Sequence, residues 1–86
     1  MKTRDPLPRG NVHYATYYTL KDCITHQTAN ARQIMNIRSA MNLGRMSPRE
    51  IERNLTFLID QGYVEKLVGT NPHTGVENET LYRVIP

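Results

Sequence analysis

The chain has 86 residues, with eleven Lys and Arg against eight Asp and Glu, a net charge of +3 and 38% apolar residues. That length supplies one small domain with a modest core, and it excludes large cofactor folds such as the doubly wound α/β sheet or the eight-fold barrel. The single cysteine, Cys23, excludes an internal disulfide and fits a reducing, cytoplasmic setting, and no apolar run is long enough for a membrane span or a signal segment.

Residues 1–11 read as a flexible basic arm. Pro6 and Pro8 favour extended backbone, and Lys2, Arg4 and Arg9 outnumber Asp5. The remainder, 12–86, reads as one domain. Residues 12–27 carry two patterns at once. Tyr17, Leu20 and Ile24 fall at helical spacing, whereas Val12, Tyr14, Thr16, Tyr18 and Leu20 alternate like a strand. Thr19 with Asp22 resembles a capping box, and a helix over about 14–26 is expected. Tyr14, Tyr17 and Tyr18 present apolar rings with polar tips, suited to covering a small core or to forming a dimer seam.

A second helix is expected over 30–41. Asn30 is a good N-cap that Gln33 can bond back to, and Ala31, Ile34, Ile37 (or Arg38) and Met41 make its apolar stripe. A third helix, 48–61, is announced by Ser47 as cap, Pro48 at the first helical position and Glu50 to close the box. Ile51, Leu55, Leu58 and Ile59 line one of its faces, and Gly62 terminates it. Two strands, 63–68 and 81–85, then flank a twelve-residue polar loop, 69–80. Loops of that length are usually functional or mobile.

Asn30 to Ile34, Ser47 to Leu55, Leu58 to Lys66 and Leu81 to Val84 together resemble a winged helix-turn-helix domain, over about two thirds of the chain. The resemblance implies a mainly α fold with a small β-hairpin: three helices plus a two-stranded antiparallel wing. It also implies a small prokaryotic or phage-type transcriptional regulator that binds duplex DNA as a homodimer, without cofactor and without enzymatic activity. In two respects the chain departs from the pattern. The turn Asn42 to Met46 is some three residues longer than the family's tight turn, and the wing loop carries Glu77 and Glu79 but no Lys or Arg.

In the resembling family the outward side of the third helix enters the major groove. On that basis Arg49, Arg53, Asn54 and Thr56 are expected at base edges, and Arg32, Arg45, Ser47 and Lys66 at phosphates. Arg4 and Arg9 of the arm are candidates for an adjacent minor groove. The alternative is a protein-interaction adaptor within a larger nucleoprotein complex. It would use the acidic wing and Phe57, an aromatic set off the core stripe, with Tyr14, Tyr17 and Tyr18 as further interface residues.

Cys23, His26, His13 and His73 lack the ligand spacing of a metal site, and the glycines form no phosphate-cradling run. Charge is unevenly spread. Residues 32–53 hold five arginines against two glutamates, while 54–86 hold Lys66 and Arg83 against four carboxylates. DNA binding is therefore expected in the first part and a protein contact in the second.

Overall fold

The computed structural model describes residues 6–86. Its elements run α1 (Tyr14–Asp22), a short 3-10 turn (Thr25–Gln27), β1 (Thr28–Ala29), α2 (Ala31–Ala40), α3 (Pro48–Asp60), β2 (Val64–Gly69) and β3 (Glu79–Val84). The three helices pack on one another and on an antiparallel sheet of strand order β1-β3-β2.

The sheet has three strands, one more than the two-stranded hairpin expected. Thr28 and Ala29 lie opposite Arg83 and Tyr82. A two-residue strand carries no periodicity of its own, and only its pairing partner, more than fifty residues away, defines it. The same segment ends α1 four residues short of the expected 26. Ile24, just past the cap Cys23, is already extended at φ −119° and ψ 125°, and His26 and Gln27 then take positive φ, of 67° and 51°. The hairpin strands are also displaced from 63–68 and 81–85, because the register runs from Val64 opposite Val84 to Gly69 opposite Glu79.

Capping sets α2 and α3 as the sequence predicts. Asn30 and Gln33 bond reciprocally at the head of α2, and Ser47 and Glu50 do so at the head of α3, with Pro48 following the cap. Gly62, at φ 83°, lets the chain turn back after α3, so that the Tyr63 N–H reaches the Leu58 carbonyl at 2.9 Å. Leu20, Ile34, Ile51, Leu55, Leu58 and Val64 are the fully enclosed centre of the core. Met41, expected in the α2 stripe, is instead exposed at the helix end, and Arg38 is buried in that stripe.

The arm is not free over its described part. Leu7 is 7% exposed and belongs to the core, and a turn closes behind it from the Asn11 N–H to the Pro8 carbonyl. Burying one leucine is worth about 1.5–3 kcal/mol, enough to hold a short segment down. Arg9 is exposed beside this anchor, while Arg4 lies outside the described residues.

The long β2–β3 loop is pinned as well. Asn71 is completely buried, and its amide donates to Gln33 Oε1 at 2.8 Å and to Glu79 Oε1 at 2.6 Å. Its Oδ1 accepts from the His73 N–H, while its backbone N–H bonds the Val76 carbonyl. His73 Nε2, facing the Thr28 carbonyl at 2.8 Å, is the donor to β1, since that carbonyl only accepts. The loop is thereby tied to α2, β1 and β3 together.

Candidate nucleic-acid interface

Helix α3 has two opposed sides. Ile51, Asn54, Leu55 and Leu58 face inward, all buried. Arg49, Glu52, Arg53, Thr56 and Asp60 recur at intervals of three and four on the other side, all exposed. Arg49 and Arg53 are one turn apart, and Ser47 and Arg45 precede them at the exposed entry to the helix. Arg32 is exposed in the first turn of α2, and Lys66 is exposed on β2 opposite Tyr82.

Asn54 does not belong to that outer side, contrary to the expectation that it meets a base. It is 8% exposed, and both its amide nitrogen and its amide oxygen are hydrogen-bonded within the fold. Its Nδ2 donates to the Glu50 carbonyl at 3.0 Å, and its Oδ1 accepts from Thr16 Oγ1 at 3.1 Å. Thr56 remains outside, although its hydroxyl donates back to the Glu52 carbonyl at 2.9 Å, leaving its methyl and an oxygen lone pair toward solvent.

Behind α3 lies a polar network that the sequence reading did not assemble. Arg38, 7% exposed, donates from Nη1 to Thr16 Oγ1 at 2.7 Å and from Nε to the Leu43 carbonyl at 3.2 Å, with Met46 Sδ also at 3.2 Å from Nη1. A directional relay therefore runs from Arg38 on α2 through Thr16 on α1 to Asn54 on α3. Burial lowers the Arg38 pKa, and the nearby Glu50 carboxylate opposes that fall. The relay also explains the long turn, because the Leu43 carbonyl is one of the guanidinium's acceptors and Gly44, at φ 104°, lies close to its Nη2. Heptad-like spacing was the available signal: 31, 34 and 38 on α2, and 51, 54, 55 and 58 on α3, put both polar residues on the inward stripes.

The described basic side chains sort by their partners. Arg38 is spent on the internal relay, Arg83 pairs with Glu65, and Lys21 sits over the Tyr17 ring at 5.8 Å. Arg9, Arg32, Arg45, Arg49, Arg53 and Lys66 make no ion pair among the described residues and are all exposed. Glu50 is held below the usual carboxylate range first by its hydrogen bonds with Ser47 and then by the Arg53 and Arg38 charges.

The features behind an adaptor reading are largely used within the molecule. The Phe57 ring is half-buried and stacks on His13 with centroids 3.8 Å apart, and Asn11 fixes His13 in turn through its Oδ1. Tyr17 packs edge-on against Tyr63 at 5.5 Å, and Tyr14 lies against Tyr18 at 6.2 Å. In the acidic segment, Glu79 receives the Asn71 amide and Glu65 the Arg83 guanidinium, while Glu77 is exposed. Among the described residues, no helix is long and apolar enough to cross a membrane.

No protein-family model, no curated protein and no solved structure matches the chain.

Proposed function

We propose that this protein binds duplex DNA as a winged-helix type module, laying the outer side of α3 in the major groove and acting as a small transcriptional regulator. One observation carries the reading. The exposed cations that make no ion pair or ring contact among the described residues, Arg9, Arg32, Arg45, Arg49, Arg53 and Lys66, are the described ones that the resemblance assigns to DNA, whereas Arg38, Arg83 and Lys21 have partners within the fold. A polyanion is the partner that such a set attracts. The element order, with a short strand between α1 and α2 and a hairpin after α3, supports the same reading.

In this arrangement Arg49 and Arg53 reach base edges or phosphates, and Thr56 offers its methyl to a thymine. Arg32, Arg45, Ser47 and Lys66 hold the backbone on either side. A homodimer would place two copies of α3 about 34–36 Å apart on half-sites one helical turn apart.

The test is equilibrium binding to duplex DNA across a salt series. With four to six phosphates neutralised, log K falls against log salt with a slope of about −4 to −5. Replacing Arg49 and Arg53 together by alanine is expected to weaken binding and to flatten the slope by about 1–2. Weak, salt-independent binding that the double variant leaves unchanged would refute the proposal.

A further inference from the structure

The outer side of α3 carries two carboxylates, Glu52 and Asp60, of which Glu52 lies in the N-terminal half of the helix with the arginines. Glu52 lies on the exposed side about one turn after Arg49, and about 100° around the helix from Arg53, which follows it in sequence. It is exposed and makes no ion pair among the described residues, although Arg49 is its neighbour one turn back. Its charge also reaches the sheet, where it adds to the burial that holds the Tyr82 phenol above its ordinary value. A carboxylate so placed repels phosphates and weakens sequence-independent attraction. On a face that approaches base edges, it is useful only where it meets a hydrogen-bond donor. The major groove offers two, the amino groups of cytosine and adenine. Adenine sets its N7 acceptor beside the amino group, which repels a carboxylate, whereas cytosine presents the donor alone.

We propose that Glu52 is a specificity-determining residue that accepts a hydrogen bond from the amino group of a cytosine, next to the position read by Arg49. This rests on the reading that α3 docks in the major groove. With arginine favouring guanine and glutamate favouring cytosine, the preferred site is rich in G·C pairs under α3. The same carboxylate lowers affinity for every other sequence, so Glu52 trades overall attraction for discrimination.

Selection of preferred sites from a random duplex pool, followed by affinity measurements on single-position variants of the best site, tests this with the full chain and with Glu52→Ala and Glu52→Gln. The wild type is expected to favour cytosine at one position by about 5- to 150-fold, the range of one good base contact. Glu52→Ala reduces that preference to within about twofold, keeps the rest of the site and binds random duplex more tightly at low salt. Glu52→Gln moves the preference at that position toward adenine, since a glutamine amide pairs with its N6 and N7 together. An unchanged site in both variants, with salt-dependent binding intact, overturns the role of Glu52 and leaves α3 docking standing. If the wild type shows no salt-dependent binding to duplex DNA, both fall together.

Discussion

Arginine has two opposite uses in this chain, and single residues show the contrast. Arg38 is enclosed and hydrogen-bonded on three sides, while Arg53 is exposed and spends its charge on solvent and on Glu50. Replacing Arg38 by methionine fills similar space but removes the donor to the Leu43 carbonyl and to the Thr16 oxygen, which keeps only its bond to Asn54. The expected cost is about 2–3 kcal/mol, read from urea denaturation at unchanged m value. Arg53→Ala in the same assay is expected to stay within about 0.5 kcal/mol, because nothing buried depends on it. Residue type misleads at both Arg38 and Asn54. A polar side chain on a helix is first read as outward, yet the spacing of each position points inward, and a matching polar partner on a neighbouring helix satisfies it. That partner is visible only once α1, α2 and α3 are packed.

At the level of elements, local chemistry decides how much can be read in advance. Helix α3 starts where three independent signals coincide, and α2 where two do, so their N-termini are legible from sequence. Ser47→Ala is expected to cost about 1 kcal/mol in thermal or chemical unfolding at neutral pH. The Glu50 half of that box is pH-dependent. Its pKa is lowered in the fold, so its contribution is complete above the ordinary glutamate range and is lost as pH falls through the depressed folded value. The end of α1, by contrast, falls at the extended Ile24, after which the positive φ of His26 and Gln27 leads the chain into the pairing of Thr28 and Ala29 with β3. No residue near 26 announces that, since the cause lies at Tyr82 and Arg83. Of the candidate interface, the exposed cations were legible from type and spacing. The Asn71 anchor was not, because an asparagine in a polar loop reads as a turn residue until Gln33 and Glu79 are found beside it.

As a whole molecule, a chain of this size has about 4–13 kcal/mol of stability to lose. Every anchor to the core therefore counts, including Leu7 from the segment that reads as a free arm. Leu7→Ala is expected to cost about 2–3 kcal/mol and to lower the melting temperature by about 10 °C or more, measured by circular dichroism or calorimetry. A fully flexible arm would show no change. The sheet order has a separate consequence, for the time at which the fold can complete. The central strand, β3, is also the last of the three in chain order, so among the described residues β1 and β2 have no strand partner before it. A nascent chain emerging from the ribosome can close its helical caps early but cannot knit any part of its sheet until β3 is exposed. When it does, joining Ala29 to Tyr82 closes a loop of more than fifty residues in one late step. Until that moment the unpaired edges of two strands are bare, and synthesis through β3 is the interval in which this protein is most open to mispairing with another copy of itself.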